Sequence, residues 1–141
     1  GSSGDEVSID ISDVGAIVEG DGNDATASST VKIVEVTGAD TVAADENIVV
    51  LSGAIYASTA LAEAAIENNG GRELTLTKAN DAADDDLLVV WSDGSNSYVG
   101  ANNIGSTAAN PLTGSLTVIA ELVGINASVA GTLVSANFDF V

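Results

Sequence analysis

The sequence predicts a mostly β domain of β-sandwich or β-roll-like architecture, with seven or more short strands and one helix near residues 58–69. Three observations lead there. Hydrophobic residues make up 45% of the chain but aromatics only 4%, so a core must be assembled from Ala, Val, Leu and Ile. Such side chains fill thin layers, which suits stacked sheets. Short alternating or β-branched runs recur between Gly, Asn and Asp turns. One segment alone carries helix logic. At 141 residues the chain has the size of one domain with a genuine core.

Residues Val7 to Ser12 alternate, with Val7, Ile9 and Ile11 on one face and Ser8, Asp10 and Ser12 on the other, as in a half-exposed strand. A short apolar stretch, Ala16 to Val18, leads into the turn Gly20-Asp21-Gly22-Asn23-Asp24. Thr30–Val36 and Asn47–Leu51 are β-branched strands, the second expected to be buried on both faces. Ser58 or Thr59 can cap a helix whose apolar stripe is Leu61, Ala64, Ala65 and Ile66. The run Asn68-Asn69-Gly70-Gly71 stops it with residues that accept a left-handed backbone. Strands follow at Glu73–Thr77 and Leu87–Trp91, then the Asp93-Gly94 turn and a return strand near Ser97–Val99. A long alternating strand spans Ser115–Val123. Asn126–Ser135 reads as a turn or short helix, and Asn137–Val141 as a last strand. Its two phenylalanines, Phe138 and Phe140, must share one face and are expected in the core. Residues 1–40 read as an N-terminal arm or strand-exchange segment, with its main contacts outside its own domain. Residues 41–141 read as the β-rich C-terminal module.

Three basic residues, Lys32, Arg72 and Lys78, face 21 acidic ones, for a net charge of −18. No basic patch can neutralise phosphates, so nucleic acid is excluded as a partner. Anionic membrane surfaces repel the chain as well. No run reaches the roughly 18 apolar residues that a membrane helix needs, so membrane insertion is not expected. The N-terminus has neither a basic n-region nor an apolar h-region, so no cleavable signal peptide is expected there. An export address is expected elsewhere, at the C-terminus. With no Cys and no His, disulfides, Ser-His and Cys-His triads and His-ligated metals are all ruled out. No phosphate loop and no dinucleotide fingerprint is present. With 21 acids, chance carboxylate pairs are guaranteed and indicate no glycosidase. The expectation is a protein that is not an enzyme.

From about Val49 onward the runs Val50-Leu51-Ser52-Gly53, Asp86-Leu87-Leu88-Val89-Val90-Trp91-Ser92-Asp93-Gly94-Ser95-Asn96-Ser97-Tyr98-Val99 and Leu122-Val123-Gly124-Ile125 are distinctive, as is the ending Val134 to Val141. They resemble the C-terminal region of bacterial surface proteins of the RTX and bluetail type. That resemblance implies a secreted or cell-surface bacterial protein, structural and calcium-associated, handled by type I secretion machinery. It names no catalytic residue. Only Gly20-Asp21-Gly22-Asn23-Asp24 is similar to one copy of the RTX nonapeptide, and a calcium roll needs several stacked copies.

Calcium takes six to eight oxygens. The candidate ligands are Asp21, Asn23 and Asp24 in one turn and Asp84, Asp85 and Asp86 in another. Asp40 with Asp45 and Glu46, and Asp93 with Asn96, are further sets. Each is equally readable as a solvated turn, where Asp and Asn are favoured for backbone reasons. Trp91 and Tyr98 flank the Asp93-Gly94 turn and offer either a sugar platform or ordinary packing across a hairpin. The functional expectation is an extracellular structural protein that self-assembles into a surface layer, filament or matrix by β-edge pairing, modulated by calcium. Phe138 and Phe140 would serve as the assembly or export tail. The rivals are a type I secretion targeting module without an assembly role, and a carbohydrate-binding adhesin domain.

Overall fold

A computed structural model describes residues 7–9, 16–17, 30–77, 85–103, 112 and 115–141. The predicted Gly20–Asp24 turn lies outside these residues. In chain order the elements are β1 (Val7–Ile9), β2 (Ala16–Ile17), β3 (Ile33–Val36), β4 (Asp40–Val42), β5 (Ile48–Leu51), α1 (Thr59–Ile66), β6 (Leu74–Leu76), β7 (Asp85–Ser92), β8 (Ser97–Asn103), β9 (Leu116–Leu122) and β10 (Phe138–Phe140), the last preceded by a 3-10 turn at Ser135–Asn137. The fold is mostly β with one helix, as the composition and patterning predict.

Between β3 and β7 the chain coils. Strands β3, β5 and β7 lie side by side and parallel in a central sheet, while β4 and β6 pair in parallel in a separate two-stranded sheet. From β7 onward the central sheet continues antiparallel through β8 to β9. A third, two-stranded sheet joins β1 to β10 in parallel, and β2 pairs with the first residues of β7. Among the described residues the central sheet does not close into a barrel, and its edges are β3 and β9. The four described strands that begin within the first 40 residues, β1 to β4, pair with strands of the same chain.

Burial on both sides of this sheet explains its composition. Along β5, Ile48 and Val50 enter one apolar cluster and Val49 and Leu51 the other. Along β7, Leu88 and Val90 join the first, and Leu87, Val89 and Trp91 join the second. A strand covered on both faces reads as a continuous apolar run, which is why Ile48–Leu51 was legible. Each such side chain, fully buried, is worth ~1.5–3 kcal/mol. One face is covered by Ala62 and Ile66 of α1, Val42 of β4 and Leu74 and Leu76 of β6. The other is covered by Ile9, Phe138 and Phe140, with Ala127 and Leu133 from the C-terminal segment. Buried Asn47 ties the entry to β3 onto β5: its Oδ1 accepts from the Lys32 amide (3.0 Å) and its Nδ2 donates to the Thr30 carbonyl (3.1 Å).

The helix is capped by Ser58, whose Oγ accepts from the Leu61 amide at 3.4 Å. Its buried face corrects the stripe read from sequence: Ala62, Ala65 and Ile66 are buried, whereas Leu61 is 54% exposed and Ala64 exposed. The true i, i+3, i+4 set begins one residue later, rotating Leu61 out towards solvent. The helix ends at Ile66, with Glu67 as its extended C-cap, and Asn69 then takes φ 64°. A Cβ on Gly70 would fall 2.2 Å from the Ala65 carbonyl oxygen, so only glycine lets the chain turn this tightly. No helix among the described residues is long and apolar enough to cross a membrane.

Candidate functional site

The β7–β8 hairpin carries the densest polar network among the described side chains. Asp93 Oδ1 accepts from the Ser95 and Asn96 amides, both at 2.8 Å, while Tyr98 donates its hydroxyl proton to Oδ2 at 2.9 Å. Ser92 Oγ donates to the Asn96 carbonyl (2.7 Å) and accepts from the Gly94 amide (3.0 Å). These bonds stabilise carboxylate over carboxylic acid. The Asn96 amide first, then the Ser95 amide and the Tyr98 hydroxyl, hold the Asp93 carboxyl below its ordinary value of 3.8. Conversely, the hydrogen bond to Asp93, followed by desolvation and the charges of Asp93 and Glu121, raises Tyr98 above its ordinary 10.0.

This turn also fastens the C-terminal segment. Asn96 Nδ2 donates to Glu121 Oε1 (2.8 Å), and Asn96 Oδ1 accepts from the Gly124 amide (2.9 Å). Ser97 Oγ donates to the Ile125 carbonyl (2.7 Å) and accepts from the Ala127 amide (2.9 Å). Of the expected Asp93 and Asn96 cation set, Asn96 turns its side chain to β9 and to the turn beyond it. The roles of Ser92, Ser97 and Glu121 were not visible in sequence, where the only signal was a polar Asp-Gly-Ser-Asn-Ser turn.

Trp91 and Tyr98 are cross-strand partners, with ring centroids 5.7 Å apart and planes inclined by 27°. Trp91 is 1% exposed and belongs to the core, whereas Tyr98 is half-buried. The indole lies over Gly100, where a Cβ would come within 2.7 Å of its Cζ3. Both rings border a cavity of about 300 Å³ whose other walls are Ala57, Ser58, Thr59 and Val118.

Asp21, Asn23, Asp24 and Asp84 lie outside the described residues, and Asp85 and Asp86 open β7, where their backbones pair with β2. Asp45 forms an ion pair with Lys32, Glu46 accepts from the Ala43 amide (2.7 Å) and Asp40 from the Thr41 amide (2.8 Å). Among the described residues no three carboxylates gather as a metal ligand set would. Phe138 and Phe140 are buried, with Asp139 exposed between them, as their alternation requires.

The outer edge of β9 is the other conspicuous feature. It runs for seven residues, Leu-Thr-Val-Ile-Ala-Glu-Leu, and among the described residues it is paired only with β8. Glu63 of α1 takes the Leu116 amide at 2.7 Å. Val118 is 45% exposed, and just beyond the strand Val123 is 77% exposed. Next to it a groove of about 440 Å³ is lined by Val7, Leu122, Val123, Ile125 and Leu133 among others. No protein-family model, curated protein or solved structure matches this chain.

Proposed function

We propose that the chain is an extracellular structural module that assembles with further copies of itself by sheet-edge pairing, its acidic faces screened by divalent cations. The observation that carries the assembly reading is the β9 edge. An unpaired edge is a template for another strand unless it is shortened, charged, interrupted by proline or bulged. β9 has no proline and no basic residue, and Glu121 is its one charge. The devices present are that single charge, the bulge opposite Val99 and Gly100, and Glu63 of α1, which takes the Leu116 amide at the start of the strand.

Charge distribution supports the same edge. Of the 21 acidic residues only Glu121 and Asp139 lie beyond Asp93, and all three basic residues precede it. The third of the chain that forms β8, β9 and β10 is thus nearly neutral, and two copies meeting there avoid most of the repulsion of a −18 chain. The extracellular setting rests on the sequence resemblance to RTX and bluetail proteins. The test is light scattering and electron microscopy of the wild type and Thr117→Asp, an exposed position on β9 where like charges would face each other across paired edges. The wild type should form multimers as concentration and calcium rise, and the variant should stay monomeric with an unchanged melting temperature. A wild type that is monomeric throughout, or a variant that assembles equally well, would overturn the reading.

A further inference from the structure

The geometry points to a binding site for one neutral pyranose ring, free or at the end of a glycan, in the cavity between the start of α1 and strands β7–β9. The walls are Ala57, Ser58, Thr59, Trp91, Tyr98 and Val118. Four features select that ligand class.

Charge comes first. No wall residue is ionised at neutral pH, although the chain carries 21 acids. The carboxylates beside Tyr98, Asp93 and Glu121, are already engaged by Ser95, Asn96 and Tyr98 itself, and an anion would enter against the field of the whole protein with no basic group to receive it. The ligand is therefore neutral.

The second feature is a pre-set aromatic face. Tyr98 is stacked on the buried Trp91, which is itself seated on Gly100, and its hydroxyl is held by Asp93 at 2.9 Å. A ring fixed on one side and at its tip loses little freedom on binding, so contact with the C–H face of a sugar is not offset by ordering.

Third, the rim is hydroxylated. Ser58 Oγ accepts from the Leu61 amide, which leaves its own proton to donate, and Thr59 brings a second donor and acceptor. An apolar floor with a hydroxyl rim matches a molecule with one C–H face and an edge of hydroxyls. A purely aliphatic ligand would leave the rim without partners. The last feature is size: about 300 Å³ lies at the lower end of the ~300–1,000 Å³ typical of small-molecule pockets, room for one ring and not for a chain.

The inference is independent of edge assembly, although Val118 serves both places, so binding is measured on the soluble Thr117→Asp variant as well as on the wild type. Tryptophan and tyrosine fluorescence, together with saturation-transfer NMR, would be followed during titration with glucose, galactose, mannose and N-acetylglucosamine. Glucuronate and glucosamine are the charged controls, and beads bearing neutral glycans separate recognition of a glycan end from that of free sugar. At least one neutral sugar, free or bead-bound, should saturate the signal, and neither charged control should do so. Thr59→Val removes one hydroxyl at constant shape; it should weaken binding about fivefold, the equivalent of one neutral hydrogen bond, without moving the melting temperature. Tyr98→Leu should abolish saturation. Failure of every neutral sugar on both proteins and on the beads, equal binding of glucuronate, or unaltered affinity in Thr59→Val would each overturn the assignment. Binding that appears only in the assembled wild type would place the site between copies and overturn it too.

Discussion

Replacing Phe140 by alanine tests how much of the fold depends on its last strand. The ring is 2% exposed and sits on β10, where its Cα partner is Ile9 of β1. The Val141 amide donates to the Ile9 carbonyl at 3.0 Å. Around the ring lie members of the apolar layer that also holds Val50, Val90, Val99 and Leu133. Truncating a buried phenylalanine costs ~3–5 kcal/mol, the transfer free energy plus the cavity left behind. A terminal strand can relax into the hole, which puts the expected loss at the lower end, ~3 kcal/mol. For a domain of this size that is a fall in Tm of about 10 °C. Urea unfolding followed by circular dichroism measures it directly, with Asp139→Ala as the control. That side chain is exposed, and its removal should change stability by less than ~0.5 kcal/mol. If Phe140→Ala unfolds within ~1 kcal/mol of the wild type, with an unchanged m-value, the β1–β10 pair is not part of the cooperative core. The layer would then have to be closed by Ala127 and Leu133 without it.

Gly100→Ala should destabilise by ~1–3 kcal/mol through overpacking, because the new Cβ would meet the Trp91 ring at 2.7 Å; an unaltered near-UV spectrum and melting curve would show that the indole does not lie over Gly100. Asp93 contributes stability that is present above its ordinary value of 3.8 and lost as pH falls through its lowered folded value. Tyr98, shifted upward, contributes stability that is present below 10.0 and lost as pH rises through its raised folded value. Urea melts across both ranges should therefore show acid and alkaline losses that are diminished in Asp93→Asn and Tyr98→Phe respectively, and identical profiles would refute the pairing. Millimolar calcium should raise Tm more than sodium chloride at equal ionic strength, since binding to the native state stabilises by mass action while screening is not ion-specific; equal shifts would leave screening alone.

What the sequence made legible followed from local chemistry. Ile48–Leu51 and Leu87–Trp91 show themselves as strands because both faces are buried and every position is apolar. The hairpin between β7 and β8 was visible because Asp93-Gly94 can only be a turn between two apolar runs, and the register places Trp91 opposite Tyr98. By contrast β4 left no trace: three residues, Asp40-Thr41-Val42, bury only Val42, and one apolar position has no period. β8 extends to Asn103, well past the expected Val99, because Gly100 and Asn102 carry no strand signal and are held there by Trp91 and by pairing. The parallel order of β3, β5 and β7 was equally hidden, since alternation fixes which face a residue takes and not which strand lies beside it. The polar links from Asn96 and Ser97 to Glu121, Gly124, Ile125 and Ala127 join residues 25 to 30 apart, beyond the reach of any local pattern.

Among the described residues the central sheet has two edges, and each brings its own carboxylates. None of the described carboxylates is buried, and the buried polar residues are the neutral Asn47, Ser52, Ser92, Ser97 and Asn102. The described acidic groups therefore reach water, where exposed charges act over a Debye length of ~8 Å at physiological salt. Repulsion then matters only between groups that assembly brings into near contact. An approach through β3 brings Glu35 with it, near the loop that holds Asp45 and Glu46, against which Lys32 is the one basic group and is already paired with Asp45. An approach through β9 brings Glu121, whose carboxylate accepts from Asn96, and Glu63 of α1, which accepts from the Leu116 amide; Glu35 on β3 is likewise engaged, by the Gly131 amide. Pairing of β9 with β9 is isologous and closes at two copies, whereas pairing of β9 with β3 is heterologous and builds a ring or an open array. Each edge therefore brings carboxylates into near contact, and pairing at either requires that they be screened. If the edges pair as proposed, the fold supplies the templates and screening of these carboxylates sets when they can meet.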